Sequence, residues 1–300
     1  MGSPAAEPGR GALEDRRKID VPRGFWIGRT EVTQRLWREV SGLDLLGQAR
    51  LAIDDPTPYP KNGGGTYTLR ECYGWPEDTQ PANRCGDPDD ETAVYFVSWN
   101  DAMDFCRLLT ERERRAGRLP EGFAYTLPTE AQWEYACRAG VDAMLPNGSD
   151  LRILGVNNAP ALDEMAWYGG NSSVGFAGRG WNTAGWTEKQ APGGYAAPRR
   201  VALKKANAWG LFDMLGNVRE WCLDNAGNTS ADNRVRGRIV RGGSWESKAA
   251  SVRPAAWEWQ HAGWRDEETG FRVVLVQTDP APPHWTDLIL AADPRRVGSW

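Results

Sequence analysis

The run Arg241-Gly242-Gly243-Ser244-Trp245 and, about 25 residues further on, Gly270-Phe271-Arg272-Val273-Val274 decide how this chain reads. Paired glycines mark a turn rather than the interior of an element. No cysteine lies between the two ends. Between them stand Trp257, Trp259 and Trp264, with Trp245 at the entry, among the polar neighbours Glu258, Gln260, His261, Arg265, Asp266, Glu267 and Glu268. Trp brings a large rigid contact area and one donor, which suits recognition. Core packing is the competing reading, and it is the preferred one for Trp133, Trp209, Trp221 and Trp245. Arg241, Arg253 and Arg272 read as framework arginines that bind carbonyls or carboxylates inside the fold.

Outward from this stretch, composition bounds the class. A chain of 300 residues, 40% hydrophobic and 25% charged, can bury one large core or two small ones. Its net charge of -4 gives no basic field for nucleic acid and no polybasic segment for a lipid surface. The 16 Trp, 34 Gly and 20 Pro imply a loop-rich fold pinned by aromatic anchors. No run approaches the roughly 18 apolar residues of a membrane span. The first residues lack the basic end and apolar run of a secretory signal, so a soluble protein is expected, of unassigned compartment. Five cysteines are an odd count. Cys72 and Cys85 flank a loop and could pair, whereas Cys106 and Cys137 read as small hydrophobes on helix faces. With His261 and His284 as the only histidines and no CxxC, zinc and His-bound iron lack ligands.

Along the chain, residues 1–20 are polar and expected to be flexible, 21–276 form the domain, and 277–300 form a tail, with a Leu288-Ile289-Leu290 patch, that packs on the domain or extends from it. Residues 25–33 read as a strand. A short helix follows from 34, capped by Thr33 and stopped by Gly42. Residues 54–92 read as a long surface loop and 93–98 as a second strand. Ser98 caps a helix from Trp99 with Ala102, Phe105, Cys106 and Leu109 on its apolar face. Thr129 and Gln132 make a capping box for another helix that buries Trp133, Ala136 and Cys137 and ends at Gly140. Residues 141–206 show no period.

Several separated motifs coincide: Gly28-Arg29-Thr30-Glu31-Val32-Thr33, Val97-Ser98-Trp99, Leu127-Pro128-Thr129-Glu130-Ala131-Gln132-Trp133-Glu134, Asn207-Ala208-Trp209-Gly210-Leu211-Phe212-Asp213, Gly216-Asn217-Val218-Arg219-Glu220-Trp221, and the Gly-Gly-Ser-Trp and Gly-Phe-Arg runs. Together they resemble the formylglycine-generating enzyme, or sulfatase-modifying-factor, family over roughly residues 20–276. The resemblance implies an α+β fold, a variant of the C-type lectin fold with a small twisted antiparallel sheet and a few helices. Active members of that family oxidise a sulfatase cysteine with copper(I) held by two thiolates. Those thiolates match Ser247 and Ser251 here, and serine cannot supply the soft ligand copper(I) needs, so copper is not expected. The family's pocket tryptophan is matched by Arg219. The resemblance also implies a structural calcium held by Asp213, Gly216, Val218 and Glu220, oxygen donors suited to a hard cation.

The function expected is therefore non-catalytic binding of a protein or small molecule at the pocket of about 241–272. The candidate residues are Arg219, Trp245, Glu246, Ser247, Lys248, Trp257, Trp259, His261, Trp264 and Arg265. Similar binding members include variable proteins of diversity-generating retroelements, which display hypervariable residues on this face. Diversifying Asn codons at their adenines cannot produce the Trp, Glu, Gln and Lys that fill 246–268, which argues against simple membership. The alternative is an oxidoreductase acting on sulfur through an atypical site. A nucleophilic serine, Ser247 or Ser251, has no His or Lys base at a motif spacing. An assembly or accessory role is the third reading.

Overall fold

The computed structural model describes residues 1–21, 23–61, 64–226 and 237–278. The architecture is α+β, with few helices, small sheets and long irregular connections. Two sheets position everything that follows. In the first, Val274–Gln277 lies between Phe25–Ile27 and Phe123–Thr126, antiparallel to both. The second has the order Trp257–His261, Gly237–Arg241, Arg219–Asn225, Thr269–Gly270, with the last pair parallel.

The helices form where their caps dictate. Thr33 accepts from the Leu36 N–H and Gly42, at φ 76°, closes Gln34–Ser41. Ser98 and Asp101 make a reciprocal capping box on Trp99–Arg115, and Thr129 and Gln132 make another on Glu130–Arg138. The expected apolar faces are buried: Ala102, Phe105, Cys106 and Leu109 on one helix, Trp133, Ala136 and Cys137 on the other. Trp99, Trp133, Trp221 and Trp245 are among the largest fully buried side chains, so aromatic anchors do hold the loops. Trp209 departs from its expected place in the core. It is 47% exposed and packs edge-on against Tyr135 at the surface.

Other local expectations need correction. The first strand ends at Ile27, not 33. Residues 93–98 are buried but form no regular strand, because successive N–H groups go to different partners. Val94 donates to Val32 and Phe96 to Asp266, with Phe96 at φ 58°. The expected loop of 54–92 contains the helix Leu69–Tyr73, boxed by Thr68 and Glu71, and an unforeseen helix Leu45–Ile53, capped by Asp44, precedes it. All five cysteines are free, so Cys72 and Cys85 are not bridged.

The largest correction is at the N-terminus. Residues 1–20 do not hang free: Glu7 and Glu14 are buried and hold Arg253, itself 1% exposed, at 2.7 and 2.8 Å. Gly2 donates its N–H to Glu134 and accepts from Arg138. A buried guanidinium must be paired, and these glutamates supply the charge from some 240 residues away. The tail beyond 278, with its Leu288-Ile289-Leu290 patch and His284, lies outside the described residues. Among the described residues no helix is long and apolar enough to cross a membrane.

Candidate functional site

The strand Gly237–Arg241 ends in a double glycine because the turn there needs it. Gly242 and Gly243 stand at φ 90° and 71°, a region that costs other residues steric strain. A Cβ on Gly242 would come within 3.1 Å of the Met214 carbonyl, and one on Gly243 within 3.0 Å of Val252. The turn delivers Ser244 to Ser247. The Ser247 hydroxyl accepts from the Ser244 N–H at 2.9 Å and lies 3.1 Å from the Ser244 hydroxyl, which donates to Glu268.

Beside this turn lies a cavity of about 200 Å³, walled by Gly242, Gly243, Ser251, Trp257, Arg219 and Arg241. The N-terminal segment adds Gly9, Gly11 and Glu14 to its lining. Burial pushes the Glu14 carboxyl up, but the Arg253 guanidinium outweighs it and leaves Glu14 below its ordinary range.

The pleat of the four-stranded sheet sorts the charged groups. Side chains alternate along Arg219-Glu220-Trp221, so Arg219 and Glu220 point to opposite faces. On one face Arg272 grips both oxygens of Glu220 at 2.6 Å, and Trp133 Nε1 donates to the same carboxylate at 2.7 Å. The neighbouring Arg241 pairs with Glu134 at 2.6 Å and Glu130 at 3.2 Å. On the other face Arg219 holds Glu258 at 2.8 Å, Asp266 at 3.0 Å and Glu268 at 3.3 Å. Glu246 and Glu267 crowd the same group. Burial, then the negative charge of Glu268, pushes Glu246 up to about 7. Burial, then Asp266, pushes Glu267 up to about 8, and its buried Oε2 has no hydrogen-bond partner.

The expected binding residues divide. Arg219, Ser251 and Trp257 line the cavity, Ser247 shapes its turn, and Glu246 and Lys248 are exposed beside it. Trp259 is 41% exposed on the outer strand of the sheet. Trp264 and Arg265 are corrections, and Trp245 takes the core place preferred for it over binding. Trp245 is fully buried and donates to the Glu267 carbonyl at 3.0 Å. Trp264 is buried among Tyr59, Tyr67 and Tyr73. Arg265 is buried against Asp101 and Asp55. His261 is half-buried edge-on to Tyr59, and burial lowers its pKa. Glu14, Gly9 and Gly11 were missed, since nothing local ties residues 9–14 to residue 253. Glu258, Glu267 and Glu268 were visible only as polar company for the tryptophans.

The calcium set is only partly free. Asp213, at φ 53°, spends Oδ2 on the Ala202 N–H at 2.6 Å and keeps a buried Oδ1 without a partner. Glu220 is not free, because Arg272 and Trp133 engage both its oxygens. The other unpartnered carboxylate oxygen nearby is Glu31 Oε2. Burial, then the charge of Asp213, raises Glu31 well above its ordinary value, and burial raises Asp213 to about 6. Among the described residues no group of three or more His, Cys, Asp or Glu is arranged for a metal ion.

The thiols lie elsewhere. Cys137 and Cys222 are fully buried and burial raises both, Cys137 to about 12. Neither lines the cavity, where Ser251 stands.

Comparison with known proteins agrees with this architecture. The family described as the sulfatase-modifying factor enzyme 1-like domain matches residues 1–276, a span that includes the N-terminal segment. The chain is 29% identical over 230 residues to the chaperone protein LppX of Paenibacillus barcinonensis, covering 74% of this chain and 70% of that protein. It is 28% identical over 162 residues to the mouse formylglycine-generating enzyme, covering 51% of this chain and only 35% of that enzyme. Treponema denticola variable protein 1 shares the fold, with a TM-score of 0.51 at 24% identity over 83% of this chain and 84% of that one. The fold is thus the formylglycine-generating-enzyme variant of the C-type lectin fold. By its motifs, its two sheets and a family match that runs from residue 1 through Val276, the chain belongs to the sulfatase-modifying-factor, or formylglycine-generating enzyme, domain family.

Proposed function

We propose that this chain is a binding member of the family, which holds a protein or small-molecule ligand at the cavity beside Gly242 and Gly243. The observation that carries the reading is the chemistry of the cavity wall. Ser251 and the carboxylate-bound Arg219 stand where the resemblance calls for a copper thiolate and a tryptophan. The hydroxyl of Ser247, matched to the second thiolate, is spent on the turn. Hydroxyl oxygen is a poor donor for copper(I). The named chaperone relative and the shared fold of a variable protein are compatible with such a role.

Copper(I) titration, with mass spectrometry of a cysteine-containing sulfatase peptide incubated with the protein, separates this reading from its rival. No tight copper binding and no loss of the peptide thiol are expected. Conversion of that cysteine would establish an oxidoreductase of the formylglycine type with an atypical site and end the binding-only proposal.

A structural calcium is a separate part of the proposal. It is supported by the family resemblance and by the buried, unpartnered Oδ1 of Asp213. Oxygen donors at an irregular turn suit calcium, although Glu220 serves it only by sharing with Arg272. A chelator is expected to lower Tm in wild type and not in Asp213→Ala. An unchanged wild-type Tm removes calcium from the account.

A further inference from the structure

A second cavity, of about 240 Å³, shares no lining residue with the one beside Gly242 and Gly243. It forms where the chain leaves the helix Glu130–Arg138. The carbonyls of Ala136 and Cys137 in the last turn have no partner within the helix, and Asn207 Nδ2 donates to both, at 2.8 and 3.1 Å. That bond holds the run 205–215 against residues 141–147, and the space between them is walled by Val141, Pro146, Met165, Ala206, Leu211 and Met214. Met165, Leu211 and Met214 belong to the same core cluster as Trp133 and Ala136. Those two are fully buried, whereas Met165 and Leu211 keep 8% and 7% of their surface where the cavity meets the core.

The polar groups of the wall are spent on one another. Lys205 Nζ donates to Glu164 Oε2 at 2.6 Å, and Asn147 Nδ2 donates to Glu164 Oε1 at 3.0 Å. Asn147 Oδ1 accepts from Ser149, and Asn207 Oδ1 accepts from the N–H groups of Trp209 and Leu211. Asp213 also contributes to the wall, but its Oδ2 is held by the Ala202 N–H and its Oδ1 is buried beneath the surface.

These bonds decide what chemistry the space accepts. A carboxylate or ammonium group would leave water for a wall whose charges already have partners. A peptide would bring N–H and C=O groups for which the wall side chains have no open partner. A neutral apolar group needs neither, and the flexible thioethers of Met165 and Met214 adapt to its shape. Volume bounds its size: the cavity is larger than the ~150 Å³ that holds benzene and smaller than the ~300 Å³ at which sites for drug-sized ligands begin.

We propose that this cavity binds a free, neutral, apolar molecule the size of one ring or two fused rings. The molecule seats against the side chains of Met165, Leu211 and Met214 and leaves the Lys205–Glu164 pair intact. The site is separate from the one beside Gly242 and Gly243, and its occupancy does not depend on what that face binds.

Toluene and indene, titrated into the full chain with isotope-labelled methionine methyl groups, test the proposal by NMR. Both are expected to shift the Met165 and Met214 methyl signals and to leave that of Met103, in a different core cluster, unmoved. Each should also raise Tm as its concentration rises. Benzoate and benzylammonium, charged rings of similar size, are expected to bind about tenfold or more weakly. Ala206→Leu, which fills the cavity, should abolish the shifts. Ala208→Leu, at an exposed position of the same wall, should do so without touching the core. Met165 and Met214 signals that neither probe moves up to its solubility limit overturn the proposal, as do charged rings that bind as well as toluene. Folded Ala206→Leu and Ala208→Leu proteins that both bind normally also overturn it. So does an acetylated, amidated Gly-Phe-Gly peptide that binds more tightly than toluene, since the occupant would then be a polypeptide.

Discussion

The two faces of the four-stranded sheet treat the same residue types in opposite ways. Behind the sheet, Glu220 meets Arg272 and Trp133, and Arg241 meets Glu134 and Glu130, in bonds of 2.6 to 3.2 Å that leave no carboxylate oxygen of Glu220 idle. In front, one guanidinium serves Glu258, Asp266 and Glu268, while Glu246 and Glu267 sit close by with raised pKa values. Matched charges are what a framework requires, since a buried charge is tolerated only when paired. Crowded carboxylates are tolerated only when the surrounding fold imposes them, and such places are where binding and chemistry concentrate.

The strongest way to break the comparison is to unpair the rear face. Arg241→Met takes its charge from Glu130 and Glu134, leaves Glu134 only Arg138 as a cationic partner, and is expected to cost about 3–5 kcal/mol in chemical denaturation. A loss under 1 kcal/mol would mean that the rear pairs are no framework. Next in size is the N-terminal clasp. Glu7→Gln with Glu14→Gln leaves Arg253 buried without a counter-charge, and a loss of about 2–4 kcal/mol is expected, together with faster proteolysis within residues 1–20. Wild-type stability with no new cleavage would show that the segment does not hold the fold.

The front face gives a pH test with a definite sign. Glu267 has a folded value of about 8 against an ordinary 4.5, so the folded state binds its proton more tightly than the unfolded state. Its contribution is fully present below about pH 4.5 and is lost as pH rises through about 8. Over that window stability should fall by on the order of 1 kcal/mol per pH unit, and Glu267→Gln should flatten the slope. An identical slope in the variant would remove Glu267 from the crowded group. The smallest effect belongs to Trp259→Ala, expected to change stability by less than about 1 kcal/mol because the ring is 41% exposed. Trp245→Ala, cut from a fully buried ring, should cost about 3–5 kcal/mol and calibrates that comparison.

Local grammar was legible wherever a few adjacent residues carry the physics. Ser98 with Asp101 and Thr129 with Gln132 announce two helices because the capping bonds span three residues. The framework roles of Arg241, Arg253 and Arg272 were legible as well, though not their partners. The second strand was not, because whether 93–98 pairs regularly depends on Val32 and Asp266, chains far away in sequence. Trp264 and Trp259, five residues apart with similar neighbours, end in opposite places, since three tyrosines from residues 59–73 enclose one and leave the other on an edge.

The sequence by itself determined the family frame and that serine, not cysteine, stands at 247 and 251, because residue identity alone decides whether a thiolate is present. Tertiary structure decided which distant groups meet. It brought Glu7 and Glu14 onto Arg253, walled the cavity with Gly9 and Gly11, and committed Glu220 to Arg272. Long-range charge pairing inside a low-dielectric interior has no counterpart in local pattern, since each group's partner is set by how the whole chain closes.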